Sequence, residues 1–149
     1  MSDFNETDAF SADLVSGLAA FDSKNFSMAY QLLAPLAANG NAESLWRLGM
    51  MQMNGLGMVK NQPLGFENFM YAAQQGHAFA HHMIAVAYMT GEGVEKDINK
   101  AIEWFEKAAD YDLQGAMYVL GMLYEDGKEV EKDLEKTQYW YDKAAKVEA

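Results

Sequence analysis

The 149-residue chain has no cysteine. Disulfides and thiolate metal sites are thereby excluded, and a cytoplasmic location is the expectation that fits. Only two residues are proline, too few for a Pro-rich linker. Basic residues are scarce: 11 Lys and Arg stand against 22 Asp and Glu, a formal charge of −11 with an isoelectric point near 4.5. A nucleic-acid backbone or an anionic membrane surface needs the basic stripe that this composition denies, so neither is an expected partner. The opening residues MSDFNETDAF have neither the basic flank nor the apolar stretch of a secretory leader, and no run is long enough to cross a bilayer. No GxSxG, phosphate-cradling glycine loop or HExxH occurs, and no nucleophile, base and orienting group can be placed together. A non-catalytic protein without cofactor is expected.

What is present is apolar and periodic. Half the residues are hydrophobic, enough at this length for one compact domain with a real core. Residues 88–109 read YMTGEGVEKDINKAIEWFEKAA and residues 124–145 read YEDGKEVEKDLEKTQYWYDKAA, a repeat of period 36. One further step back lands on Gln52, within LWRLGMMQMNGLGMVKNQPLGFENFMYAA. Leu48, Ile84 and Leu120 coincide, as do Gly49, Ala85 and Gly121, then Gly55, Gly91 and Gly127, then the alanine pairs at 72/73, 108/109 and 144/145. Recurrence at this period marks stacked supersecondary units, which usually present a surface rather than a catalytic cleft.

Each unit reads helix, turn, helix. Glycine permits the positive φ that ends a helix, and Asn61, Asp97 or Asp133 can cap the next one. First helices should end near Asn54, Thr90 and Asp126; second helices should end near Gly76, Asp112 and the C-terminus. Gly49, Ala85, Gly121 and the alanine pairs are the expected points of close helix approach. Trp104 and Trp140, beside Phe105 and Tyr141, are expected in the core. The segment GLAAFDSKNFSMAYQLLAPLAANGN carries a degenerate fourth copy that acts as a cap, with Pro35 bending its second helix. The predicted repeats are about 8–40, 41–76, 77–112 and 113–149. No comparable helix follows Ala145, so the last copy is a candidate homodimer contact.

The pattern Ile84-Ala85, Tyr88, Gly91-Glu92-Gly93-Val94, Asp97, Lys100-Ala101, Trp104 and Lys107-Ala108-Ala109 resembles the Sel-one-like repeat, a relative of the tetratricopeptide repeat. The third copy departs at Glu129 and Thr137, and the first at Gln52, Asn61 and Asn68. The resemblance implies an all-α fold, a right-handed α-α superhelix of about four helix-turn-helix repeats, with first helices lining a concave face. It also implies adaptors or scaffolds of protein complexes.

On that register the concave face is expected to comprise Trp46, Arg47, Met50 and Met53, then His82, Val86 and Met89, then Tyr118, Met122 and Glu125, continued in the cap by Leu14, Leu18 and Phe21. Thioether side chains suit adaptable binding surfaces, although methionine also fills core gaps; an open groove and a superhelix that covers these residues itself are both compatible with the pattern. Arg47 is the candidate polar anchor. His77 and His81 have the spacing of a zinc pair, but Gly76 places them across an interhelical turn, so no metal site is expected. Glu125 and Asp126 at a helix end read as solvated. The expected partner is a protein or peptide, basic or amphipathic. A dedicated chaperone or immunity-type protein masking one cognate protein, and a self-assembling structural unit, are the alternatives.

Overall fold

The computed structural model describes residues 6–147. Among them are eight helices and no strand: α1 Glu6–Asp22, α2 Phe26–Ala38, α3 Ala42–Asn54, α4 Gln62–Gln74, α5 Ala78–Thr90, α6 Ile98–Ala109, α7 Gln114–Asp126 and α8 Leu134–Val147. They form two compact units, α1–α4 up to His77 and α5–α8 from Ala78. Within each unit consecutive helices pair as antiparallel hairpins.

The turns explain why the helices begin and end where they do. Gly55, Gly91 and Gly127 hold φ of 69°, 77° and 63°, the left-handed geometry that stops α3, α5 and α7. After the loop, Asn61, Asp97 and Asp133 accept from the backbone N–H groups of Leu64, Lys100 and Lys136 at 3.2, 3.1 and 3.0 Å, capping α4, α6 and α8. The backbone N–H of each capping residue also donates back to the first helix, to the carbonyls of Gln52, Tyr88 and Tyr124 at 2.8, 2.9 and 2.9 Å. These three hairpins are thus closed by the same bond, 36 residues apart, whereas in the tighter α1–α2 turn the Asn25 N–H donates to the Ala20 carbonyl at 2.8 Å. In the third loop Glu129 replaces the second glycine. Its carboxylate pairs with Lys96 Nζ at 2.9 Å, and the loop is rebuilt around a Lys128 N–H bond to Asp126.

In the hairpins α1–α2, α3–α4 and α7–α8 a glycine on the first helix faces a large residue on the second. A Cβ added at Gly49 would lie 2.7 Å from the Phe69 ring, and one added at Gly65 would lie 2.8 Å from the Gly49 carbonyl oxygen. The backbones of α3 and α4 therefore touch. Gly121 stands likewise against Tyr141, and Gly17 of α1 against Leu33 of α2. Leu33, Phe69 and Phe105, spaced by 36, are wholly buried. Tyr141 ends the series half-buried, its hydroxyl donating to Glu125 at 3.2 Å.

Two expectations need correction. Trp104 and Trp140 are not the centre of the core; Phe105 is, and the indoles lie half-buried at its edge. There Lys107 covers Trp104 with its ammonium 4.1 Å from the ring centroid, and Lys143 covers Trp140 at 5.5 Å. The alanine pairs also differ. Ala72, Ala73, Ala108, Ala109 and Ala144 are buried, whereas Ala145 is exposed. Pro35 lies within α2, which continues through it to Ala38, with the ring on an exposed position.

The close approach predicts two glycine substitutions of opposite sign. Gly49→Ala should destabilise by about 1–3 kcal/mol, the usual cost of overpacking against a ring that cannot retreat. Gly115→Ala should stabilise by about 0.4–1 kcal/mol, because a Cβ there meets nothing nearer than His82 Cε1 at 3.9 Å. Chemical denaturation of both variants beside the unsubstituted chain measures the difference.

Candidate interaction surface

In the first unit the predicted surface residues lie on α3. Met53 is 5% exposed and belongs to the core, so it offers nothing to a partner; this corrects its expected place on the groove. It lies above the glycine contact, where the Cβ that Gly65 lacks would strike its backbone N at 2.9 Å. Trp46 and Met50 are half-buried. Arg47 is committed within its own unit. Its Nη1 reaches Asp22 Oδ1 at 3.0 Å and its Nε reaches Glu43 Oε2 at 2.9 Å. Its guanidinium stacks 4.8 Å from the centroid of Phe21 and 4.9 Å from that of Trp46. Such an arginine joins α1 to α3 and is no longer a free polar anchor. Leu14, Leu18 and Phe21 are partly buried against the cluster of Ala20, Ala29, Leu33 and Leu36.

The arrangement around Arg47 also takes up His77. Its Nε2 lies 3.2 Å from Glu43 Oε1, and its ring stacks on Trp46 with centroids 5.2 Å apart. Glu43 is consequently held below its ordinary value of 4.5, first by the hydrogen bond with His77 and then by that with Arg47, against burial, which works to raise it. His81 begins the second unit, buried between Trp104 and Tyr111 at centroid distances of 5.6 and 5.0 Å. It occupies the register of Leu45 and Met117, both core residues. Among the described residues no group of three His, Cys, Asp or Glu side chains could hold a metal ion.

The second unit carries the remaining predicted residues. His82 packs edge-on against Phe105 with centroids 5.3 Å apart, and burial lowers its pKa below 6.5. Val86 and Met89 are partly buried against the unit's core. On α7 the equivalent positions open: Tyr118 is 40% exposed and Met122 56%. Glu125 is exposed beside them and accepts from Tyr141. The stripe is therefore exposed only in the third copy: Trp46 and His82 are half-buried where Tyr118 is exposed, and Met50 and Val86 are half-buried where Met122 is exposed. The sequence reading missed a neighbouring recess of about 200 Å³ between Phe79 and His82 on α5 and Gly115 on α7. Gly115 was the available clue, since a glycine in the first turn of a helix leaves a wall without a side chain.

Helical hairpins that recur with one period, three of them closed by the same cap and the same backbone bond, define a protein built of repeated helix-turn-helix units. The Sel1 repeat model matches residues 42–77, 78–110 and 115–146, and the chain belongs to the Sel1 repeat family. It is similar to a Sel1 repeat protein of Oxalobacter formigenes, with 30% identity, a TM-score of 0.79, and coverage of 89% of this chain and 54% of that one. It is also similar to a protective antigen of uropathogenic Escherichia coli with an SLR fold, at 28% identity and a TM-score of 0.85, covering 95% of this chain and 31% of that one. Cysteine rich protein B of Helicobacter pylori shares the fold at 20% identity and a TM-score of 0.61, covering 84% of this chain and 90% of that one. The chain thus spans about half, and about a third, of the first two relatives. No curated protein matches it. The fold is an all-α solenoid, and Sel1 repeat proteins act as protein–protein interaction modules, typically as non-catalytic scaffolds.

The Glu43 cluster has a pH signature. Its carboxyl is more acidic folded than unfolded, so its contribution is present above 4.5 and is lost as pH falls through the depressed folded value. Glu43→Gln should destabilise the protein at neutral pH, and the difference from the unsubstituted chain should shrink as pH is lowered from 4.5. Urea denaturation at a series of pH values reads both effects.

Proposed function

We propose that this chain is an interaction module that receives a peptide, helix or protein surface on the first-helix face of its second unit, with Tyr118 and Met122 as the anchoring side chains. The observation that carries this reading is the open apolar stripe on α7, where two large side chains stand exposed one turn apart. An exposed aromatic group gives up little by being ordered, and a thioether adapts to varied shapes. Val86 and Met89 continue the stripe on α5, and His82 with the recess beside Gly115 forms its edge. Glu125 and the charge of −11 favour a basic or amphipathic partner, through attraction that acts mainly on encounter. The lack of cysteine suits action in the cytoplasm. An adaptor recovers several partners weakly; a dedicated chaperone or immunity-type protein recovers one in stoichiometric amount.

Met122→Glu should leave stability within about 0.5 kcal/mol, because the side chain is largely in solvent. It should abolish recovery of the specific partner in affinity capture from a native lysate. Tyr139→Ala, at an exposed position of α8, should retain it. Equal recovery by both variants would remove the α7 stripe from the interface.

A second reading, self-association through the C-terminal repeat, is favoured by Ala145. Its counterparts Ala37, Ala73 and Ala109 are buried, while Ala145 and the nearby Val147 are exposed. Light scattering should then show mass rising with concentration and Ala145→Glu should suppress the rise; a constant monomer mass would exclude this reading.

A further inference from the structure

We infer a second binding site in the first unit, on the face formed by the second helices α2 and α4, that accepts a neutral aromatic side chain, specifically the indole of a partner's tryptophan. The inference is independent of the α7 stripe, since it concerns a different set of helices.

It begins with two substitutions that occur together. Where the second and third copies have Tyr88 with Trp104 and Tyr124 with Trp140, the first has Gln52 with Asn68. Both amides are buried, and Asn68 Nδ2 donates to Gln52 Oε1 at 2.5 Å. Each satisfies the other, so an aromatic pair has been exchanged for a polar pair without leaving either member unpaired. The exchange removes bulk. Beside Asn68 lies a cleft of about 530 Å³, walled by Tyr30 and Ala34 of α2 and by Tyr71 of α4. On the other side of Tyr30 a second cleft, of about 550 Å³, reaches Gln52 and Leu64.

The third copy shows the same place in a narrower form. Counting 72 residues on, Ala34, Ala38, Asn68 and Tyr71 become Glu106, Asp110, Trp140 and Lys143, and all four line a smaller cleft of about 410 Å³. There the repeat supplies its own indole, and the walls are charged. In the first copy the indole is absent, and neither cleft has a charged lining residue, in a chain with 33 charged residues. A charged occupant would lose its hydration with no opposite charge to receive it. An aliphatic occupant would gain from Ala34 and Leu48 but leave the amide and phenol groups of the rim idle. An indole matches both, since its ring buries apolar area between Tyr30 and Tyr71 while its single N–H can donate to an amide or phenol oxygen. The volume lies within the ordinary range for small-ligand sites, about 300–1,000 Å³.

The test is a titration of the full ¹⁵N-labelled chain with N-acetyl-tryptophanamide, following the side-chain amide signals of Asn68, Gln52 and Gln75. Saturable shifts of these signals are expected, with N-acetyl-leucinamide and N-acetyl-argininamide at least about tenfold weaker, a difference of about 1.4 kcal/mol. Ala34→Glu, which gives the wall the carboxylate of the third copy, should weaken binding of the tryptophan probe at least as much while leaving the fold intact. Asn68→Trp with Gln52→Tyr should narrow the cleft and weaken binding as read on the Gln75 amide, the signal of the three that this variant retains. Absence of saturable shifts, an equal response to the leucine probe, or unchanged binding by folded Ala34→Glu would each overturn the inference.

Discussion

The structure depends on how closely two helices of a hairpin can approach. At Gly49 and Gly65 the backbones of α3 and α4 are in contact, and the Phe69 ring occupies the space that a Cβ at Gly49 would need. That contact fixes the rotation of each helix about its axis, because only one face of α3 lacks a side chain. Once the rotation is set, the bond from the Asn61 N–H to the Gln52 carbonyl fixes the length of the connection, and the glycine at the C-cap fixes its direction. The second unit uses the same device with Gly121 against Tyr141, and Ala85 and Phe105 are buried in one cluster. Nothing in this scheme constrains the outer stripe of the first helices, and those positions range from Trp46 to His82 to Tyr118.

The departures of the first copy from the common pattern are coupled rather than scattered. Gln52 alone, facing an indole, would leave a buried amide unpaired; Asn68 alone would leave a void beside a tyrosine. Together they form one short hydrogen bond in a buried site. Selection for stability alone has no need of this, since an aromatic pair buries more apolar area at the same two positions. The exchange makes sense where the space released, or the neutral polar floor it creates, is itself of use.

Local features were legible in the sequence. Helix ends, capping residues and left-handed glycines depend on a few neighbouring residues, and the predicted ends at Asn54, Thr90 and Asp126 are those observed. The family resemblance was readable because the same spacing serves the same contacts three times. Burial was harder to read. Adjacent rings such as Trp104 and Phe105 differ by about 100° around the helix, and the sequence does not say which one the small residue opposite selects. Arg47 looked free because two of its partners, Asp22 and Phe21, lie on another helix about 25 residues earlier, although Glu43, one turn before it on α3, was in view. The cleft beside Asn68 was hidden for a related reason: a missing side chain becomes a cavity only when its neighbours do not close in.

Equivalent positions in a repeat are equivalent in backbone but not in surroundings. Met53, Met89 and Glu125 occupy one register, yet the first is core, the second packs at the edge of a core and the third is in water. The chemistry follows the burial, since a carboxylate at the register of Met53 would be buried without a counter-charge. The residue types along that register therefore report how deeply each copy is covered. On the same logic Tyr118 and Met122 are informative because they break the trend: they are large and apolar where exposure is greatest. A side chain whose burial is not needed by its own unit, at a place where a charged residue would be tolerated, is more simply explained by a surface outside the chain than by the fold.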